Sequence, residues 1–284
     1  MTGAFSGLDH VLVGVRDLEA ARATWTGLGF NPCPRGRHTG WGTANYCLMF
    51  PGDYVELLGI VDPTQFVNRL DSFLESGEGL LGVSFASPDL AASADRLARA
   101  GIVCEGPKDL KRTIELPGGE VFPAFKLLYP PPEAAPGLNA FACRHLTPDL
   151  VWNPAWLDHP NKATAIAEVV SVAADPEALA PAYALLVGEE AVRSANGALE
   201  ARCGRAMLRV LTPEAYRERY PGSGEEPAGD SPRLAALSIA SSDLGETRRV
   251  LESKRVAFTQ APKPGGLDVP PEAASGVRLS FLGV

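Results

Sequence analysis

A histidine and a glutamate stand in two apolar, strand-like segments near the start of the chain. His10 lies in "LDHVLVGV" and Glu56 lies in "YVELLG", and the chain has only four histidines in 284 residues. An imidazole nitrogen and a carboxylate oxygen together suit a borderline divalent metal such as Zn, Fe, Mn or Ni. Such an ion would polarise a substrate oxygen or hold two neighbouring oxygens at once.

The alternation of side chains along a strand predicts where His10 and Glu56 point. The three valines of "HVLVGV" share one face, which can pack on the helix that follows, and His10 and Leu12 share the other face. Glu56 shares its face with Tyr54 and Leu58. A carboxylate in so apolar a strand needs a partner. Both residues are therefore expected on the side of the sheet that faces away from the helices.

Four segments of the chain repeat one pattern, an alternating apolar run followed by an acidic residue and a helical stretch. They read "HVLVGVRDLEAARATWTGLGF", "GVSFASPDLAASADRLARAGI", "EVVSVAADPEALAPAYALLVG" and "ALSIASSDLGETRRVLESKRV". The acidic residues are expected to cap the first turns of four helices: Asp17, Asp89, Asp175 and Asp243. Gly29, Gly101 and Gly188 follow at a spacing that suits a left-handed helix end, where the fourth segment has Arg255.

Each repeat is followed by extended segments separated by turn residues such as "PGD" and "PGGE", so the unit is β-α-β-β-β. The sequence predicts an α+β protein of four such modules, forming two curled mixed sheets. We expect one half at residues 1–155 and the other at 160–284, with an ordered linker around residues 147–162. Residues 221–232, "PGSGEEPAGDSP", are interpreted as a low-complexity surface loop.

Four β-α-β-β-β units resemble the vicinal oxygen chelate superfamily. The stretch "LDHVLVGVRDLEAA…GLGF…GRHTGWGTANYCLMF…YVELLG" is most similar to its glyoxalase-like branch, and "HLTPDLVW…HPNKATAIAEVV" looks like a further signature of that branch. The resemblance implies that two modules pair into a curled sheet whose concave face holds a metal and a chelating substrate. It implies a metal-dependent lyase, isomerase or dioxygenase for a small molecule with vicinal oxygens. The alternative is a metal-free binding or sequestering protein of the same fold.

The resemblance makes His10 and Glu56 the expected metal ligands, with His145 as a third. Glu56 and His145 are the candidates for catalytic acid–base work. Counting seven residues back from the other capping acids gives Gly82, Glu168 and Ala236, of which only Glu168 can bind a metal. Glu168 would serve this site only if the third module paired with the first, whereas pairing of the first module with the second is the default expectation.

Four further residues are candidates for substrate contacts. His38, Trp41 and Asn45 lie in "GRHTGWGTAN", where glycines allow close backbone approach, although a bulged hairpin would explain the same pattern. Asn161 lies in "DHPNKA", which also reads as a simple turn.

Composition limits the partners of the chain. Its net charge of −8 and the lack of a dense basic run argue against a nucleic-acid surface. No stretch approaches the roughly 20 apolar residues that cross a bilayer, and the N-terminus lacks the features of a signal peptide. Five scattered cysteines without a CxxC pair predict reduced thiols in the cytoplasm. The expected partner is a small-molecule ligand, and a homodimer is left open.

Overall fold

The structure, a computed structural model, describes residues 2–221, 231–261 and 265–284, and its strands form two mixed sheets. The strands of the first sheet are β1 (Gly7–Val15), β2 (Gly36–His38), β3 (Thr43–Phe50), β4 (Asp53–Ile60), β5 (Gly79–Ala86), β6 (Glu105–Leu116), β7 (Gly119–Val121), β8 (Ala124–Tyr129) and β9 (Ala140–His145). The strands of the second sheet are β10 (Ala163–Val172), β11 (Val192–Ala195), β12 (Ala198–Cys203), β13 (Ala206–Leu211), β14 (Arg233–Ser241), β15 (Thr259–Ala261), β16 (Gly266–Val269) and β17 (Leu279–Gly283). The α-helices are α1 (Leu18–Gly27), α2 (Leu70–Ser76), α3 (Leu90–Arg99), α4 (Ala180–Val187), α5 (Pro213–Arg219) and α6 (Leu244–Ser253). The predicted α+β class is confirmed, while most of the predicted low-complexity loop lies outside the described residues.

The first sheet curls into a ring. Its strand order is β2-β3-β4-β1-β5-β9-β8-β6-β7, and an additional pairing between β2 and β6 closes it. The antiparallel pairing of β1 with β5 joins the first module to the second, as expected by default. The interior of this ring is where the concave-face residues of β1 and β4 meet.

The second sheet is built in the same way but stays open in the part of the chain that the structure describes. Its order is β11-β12-β13-β10-β14-β17-β16-β15, and the antiparallel pairing of β10 with β14 joins the third module to the fourth. The alternative pairing of the first module with the third is therefore wrong. Glu168, on β10, does not contribute to the site around His10.

Three of the four predicted helix caps are present. The Asp17 carboxylate accepts from the backbone N–H groups of Glu19 and Ala20, and Asp89 and Asp243 cap α3 and α6 in the same manner. Asp175 was wrongly predicted as the cap of α4: it accepts from Ala178 N–H before a short 3₁₀ turn, and α4 begins only at Ala180. Pro176 and Pro181 flank this turn, and each lacks the N–H group that a continuous helix would use.

The helix ends follow the sequence pattern. Gly29 and Gly101 have φ angles of 85° and 82°, and the non-glycine Arg255 has 56°. A left-handed residue at this point stops the helix and turns the chain back toward the sheet. Three of the four modules therefore leave their helices in a similar way. In the third module Gly188 has φ 101° and ψ 146°, so the predicted left-handed helix end is not present there.

Helix α2 was not predicted from the sequence. It lies between β4 and β5 and packs on the concave side of β1, where the Phe73 ring lies over Gly14. A Cβ at position 14 would come within 2.6 Å of that ring. Gly14 thus permits α2 to cover the opening of the ring.

One hydrophobic core joins both sheets. It contains side chains from α1, α3, α4 and α6, among them the fully buried Trp25 and Tyr183. The rings of Phe30 and Phe281 stack across the two halves at 5.7 Å between centroids. None of the helices in the described ranges is long and apolar enough to cross a membrane. The division at residues 155–160 falls between the two sheets and stays a prediction as a domain boundary.

Candidate functional site

The ring of the first sheet encloses a cavity of about 600 Å³. Its floor and walls carry His10, His38, Glu56 and Arg112, and residues of α2 lie at its mouth. The remaining walls are mostly aliphatic and aromatic. A pocket of this size with a few convergent polar groups is the usual form of a small-molecule site.

Strand alternation in β1 places His10 as the sequence predicted. Val11, Val13 and Val15 are fully buried in the core beneath the helices. The His10 ring points the other way, into the cavity, and stacks on Tyr54 with 4.4 Å between ring centroids. His10 is only 3% exposed, so its polar atoms depend on protein or ligand partners.

Asp9 orients the His10 ring. His10 Nδ1 lies 2.5 Å from the carboxylate oxygen Oδ1 of Asp9, and His10 Nε2 lies 3.5 Å from Glu56 Oε2. Because an ionised carboxylate only accepts hydrogen bonds, Nδ1 carries a proton, and Nε2 faces the second carboxylate, Glu56. Asp9 was not identified from the sequence, although its position next to His10 was a visible signal.

His38 and Asn45 meet the other oxygen of Glu56. The Asn45 side-chain amide donates to Glu56 Oε1 at 2.6 Å, and His38 Nε2 lies 3.7 Å from the same oxygen. His38 Nδ1 lies 2.8 Å from the hydroxyl of Thr43, which fixes the ring. The structure thus brings together three of the predicted site residues around the fourth, Glu56: His10, His38 and Asn45.

Arg112, on β6, is a site residue that the sequence reasoning missed. Its Nη1 donates to Asn45 Oδ1 at 3.5 Å and to the Cys47 thiol at 3.1 Å. Its Nε is buried and has no partner. In the sequence, Arg112 only begins the extended run "RTIEL". The closure of the ring by the pairing of β2 with β6 carries it into the cavity.

The ionisation of the cluster follows from burial and charge. Burial raises the pKa of Glu56, but the neighbouring imidazoles and Arg112 outweigh this effect and hold the pKa below its ordinary value. Burial lowers the pKa of His38 to about 4. Burial also raises the pKa of Asp9, but contacts with His145 and His10 prevail and lower it to about 2. At neutral pH, Asp9 and Glu56 are anionic and His38 is neutral.

The donor set around Glu56 fits a divalent ion. His10 Nε2 and Glu56 Oε2 face each other at 3.5 Å. A charge-assisted hydrogen bond would be shorter, at about 2.7–2.9 Å. Two ligands of one ion at about 2.1 Å lie about 3.0–3.4 Å apart. Neutral His38, on the other side of the carboxylate, is a further donor of the right kind.

The second module does not supply the symmetry-related ligands. The register of β1 with β4 and of β5 with β9 makes Gly82 the counterpart of His10 and Phe141 the counterpart of Glu56. Neither can bind a metal. Ser84, the strand partner of His10, is fully buried, and its hydroxyl has no partner. Protein ligands at this site would therefore come from the first module alone.

His145 lies on the opposite side of Asp9. Its Nε2 is 3.1 Å from Asp9 Oδ1, and its Nδ1 is buried without a partner. Ligand atoms of Asp9, Cys143 and His145 lie within 4.8 Å of one another, the one such group of three found in the described ranges. Burial raises the pKa of the Cys143 thiol, which disfavours the thiolate that a metal needs. The role of His145 as a ligand or acid–base group stays a prediction.

The other two predicted contacts differ in position. Trp41 lies at the mouth of the cavity, where its ring meets Phe66 edge-on at 5.0 Å between centroids. Asn161 lies at the junction of the two sheets. Its amide donates to Leu28 O at 2.9 Å and accepts from Ala163 N–H at 3.1 Å, so both ends are used by the backbone.

The ring-shaped mixed sheet agrees with the resemblance to the vicinal oxygen chelate superfamily. A family model described as a Glyoxalase-like domain matches residues 8–187, and the chain belongs to this family. No curated protein sequence matches the chain.

Several solved structures have the same fold. A hypothetical protein from Staphylococcus aureus has a TM-score of 0.67 and 12% identity, covering 98% of this chain and 99% of that chain. A mutant of 4-hydroxymandelate synthase from Streptomyces coelicolor has a TM-score of 0.61 and 10% identity, covering 98% and 92%. A xylose isomerase-like TIM barrel/4-hydroxyphenylpyruvate dioxygenase fusion protein has a TM-score of 0.55 and 12% identity, covering all of this chain and 49% of that one. At these identities the similarity concerns the fold alone.

Proposed function

We propose that the chain is a divalent-metal-dependent enzyme of the glyoxalase or dioxygenase type, acting on a small molecule with vicinal oxygens. The observation that carries this proposal is the contact between His10 Nε2 and Glu56 Oε2 at 3.5 Å, with Nδ1 of His10 held by Asp9 at 2.5 Å. His38 is the third ligand that the geometry favours. The fold that the chain shares with a 4-hydroxyphenylpyruvate dioxygenase fusion protein supports this class of chemistry.

When bound, the metal would act as a Lewis acid that polarises a substrate oxygen. The residues of the chain have distinct tasks around it. Asp9 keeps the Nε2 lone pair of His10 directed into the cavity, and Asn45 holds one oxygen of Glu56 in place. Because Glu56 is ionised at neutral pH, it can accept a proton from a substrate carbon or hydroxyl that lies against it. The buried walls limit access of bulk water to the reacting atoms.

Metal content is the direct test of this proposal. The full-length protein is purified without a metal-affinity step, and its Zn, Fe, Mn and Ni contents are measured by mass spectrometry. We expect close to one equivalent of metal in the parent and a loss of at least tenfold in His10→Ala. Thermal stability should rise when the preferred ion is added to metal-free protein. Absence of metal together with no thermal shift for any of the four ions would exclude the proposal.

Two substrate assays then distinguish the dioxygenase type from the glyoxalase type. Metal-loaded protein is assayed for oxygen uptake with catechol and for isomerisation of the hemithioacetal of methylglyoxal and glutathione. Oxygen uptake assigns the dioxygenase type, and isomerisation assigns the glyoxalase type. Glu56→Gln should abolish either activity while circular dichroism shows an intact fold.

A metal-free binding protein is the second candidate function. It is favoured by Gly82 and Phe141, which replace the ligands of the second module, and by the guanidinium of Arg112 near Glu56. This candidate predicts ligand binding that is unchanged by EDTA. All five cysteines are free thiols, which agrees with the cytoplasmic location that we propose for either function.

A further inference from the structure

Arg112 is a buried cation with no carboxylate of the described residues in direct contact. It is 3% exposed, and no carboxylate of the described residues lies within ion-pair distance of its guanidinium. Its hydrogen-bond partners are Asn45 Oδ1, in a long contact, and the weakly accepting Cys47 thiol. A guanidinium has five N–H donors, and the Nε donor of Arg112 is buried without a hydrogen-bond partner. A buried charge without hydrogen-bonded counter-charge lowers the stability of the fold unless a ligand supplies the missing partner.

The chain nevertheless makes room for this side chain. A Cβ at Gly36 would lie 2.2 Å from Asn45 Oδ1 and 2.8 Å from Arg112 Cδ. Asn45 is turned so that its amide nitrogen meets Glu56 and its oxygen meets Arg112. The guanidinium also lies over the Phe125 ring, with 5.6 Å from Cζ to the ring centroid. The side chain is therefore held in one position at the cavity wall.

The cavity mouth adds a second cation. Arg69, at the start of α2, lines the mouth and is exposed, and no ion-pair partner for it lies among the described residues. Glu105 lines the same cavity but is paired with Lys108 at 2.5 Å. The positive charges of Arg69 and Arg112 thus favour the entry of an anionic ligand.

Apolar side chains also line the cavity. Leu58, Phe73, Leu81 and Phe141 line the cavity together with Phe125. A ligand with an apolar body and one anionic group matches these side chains and the two arginines. Only the side-chain amide of Asn45 separates Arg112 from Glu56. One small molecule can therefore place its anionic group at Arg112 and its reacting oxygens at Glu56.

We propose that the substrate is a small organic carboxylate, whose carboxylate binds Arg112 while its vicinal oxygens face His10 and Glu56. This inference rests on the proposed function for the placement of the vicinal oxygens. The binding of the carboxylate to Arg112 is independent of metal. Arg112 is a specificity-determining residue, because a neutral analogue would leave its guanidinium unpaired.

The test compares phenylacetate with its neutral isostere phenylacetamide by isothermal titration calorimetry on the full-length protein. We expect phenylacetate to bind at least tenfold more tightly than phenylacetamide. Arg112→Met should remove this preference, and Arg112→Lys should keep a reduced preference of about threefold. Arg69→Gln should weaken the binding of phenylacetate by no more than about threefold. Equal affinities, no measurable binding of phenylacetate, or a preference that survives in Arg112→Met would overturn the proposal.

Two controls separate this result from folding and from metal binding. Gly36→Ala keeps the guanidinium but displaces it, and should reduce the preference while circular dichroism shows a folded protein. The titrations are repeated after EDTA treatment, and metal content is measured in the same samples. A preference that persists in a protein that never binds metal supports the carboxylate site and overturns the proposed metal enzyme. Metal binding without the preference overturns the carboxylate site alone.

Discussion

Glu168 on β10 is ion-paired with Arg209 on β13 inside the second sheet. The strand register gives this pair the positions that His10 and Glu56 hold in the first sheet. Arg219 also donates to Glu168, at 2.5 Å. The concave face of the second sheet is thus occupied by an ion-pair network where the first sheet has a cavity with a candidate metal site. The second half is expected to support the first rather than to bind metal.

The first prediction concerns this network. Glu168→Gln should lower the free energy of unfolding by about 2 kcal/mol, because two partly buried arginines lose their shared carboxylate. Metal content should not change. Denaturant unfolding with mass spectrometry of the same samples checks both results. A loss of metal in Glu168→Gln would show that the second sheet contributes to the site after all.

The second prediction compares the two sides of Asp9. His10→Ala should reduce metal affinity far more than His145→Ala, because only His10 faces Glu56. Asp9→Asn should reduce affinity by about 10–100-fold through the lost orientation of His10. The metal affinities of the three variants are measured by competition with a chelating dye. If His145→Ala had the largest effect, the ion would belong to the cluster of Asp9, Cys143 and His145 instead.

The third prediction is a pH dependence that arises at His159. Its Nδ1 accepts from Asn31 N–H at 3.0 Å, so Nε2 carries the proton and donates to Met49 O at 2.9 Å. Burial lowers the pKa of His159, and protonation of Nδ1 would oppose the Asn31 N–H. The unfolded chain therefore takes up a proton as the pH falls through about 6.5, while the folded chain does not. Stability present above this pH is lost below it, by up to about 1.4 kcal/mol per pH unit.

His159→Gln removes the titrating group and provides the control for this effect. The difference in melting temperature between the parent and His159→Gln should shrink between pH 7 and pH 5. A constant difference across this range would mean that His159 does not titrate differently in the folded and unfolded chains.

The fourth prediction concerns the junction of the two sheets. Asp53 is 3% exposed, accepts from the Ile166 backbone N–H at 3.1 Å and pairs with Arg205 at 2.9 Å. Asp53→Ala should cost about 2–3 kcal/mol, because a buried N–H loses its acceptor. Arg205→Met should cost less than about 1 kcal/mol, since the Arg205 side chain is half exposed. Similar losses in both variants would mean that the ion pair, and not the backbone contact, holds the junction.

Local rules in the sequence account for much of the fold. The capping acids Asp17, Asp89 and Asp243 begin helices because a carboxylate at the end of a strand can accept the free N–H groups of the first turn. The same rule failed at Asp175, where two prolines interrupt the turn. Helix α2 was missed because its short sequence lacks a capping side chain, and Arg69 begins it in a left-handed conformation.

The sequence by itself determined the modules and the strand alternation that turns His10 and Glu56 toward the concave face. It also singled out these two residues as the centre of the candidate site. Only the tertiary structure decided their surroundings. Asp9 reaches both His10 and His145 through the irregular start of β1, and the pairing of β2 with β6 brings Arg112 to Asn45 from a distant part of the chain. Alternation depends on neighbouring residues, whereas these contacts depend on how a sheet curls and closes, which local spacing does not record.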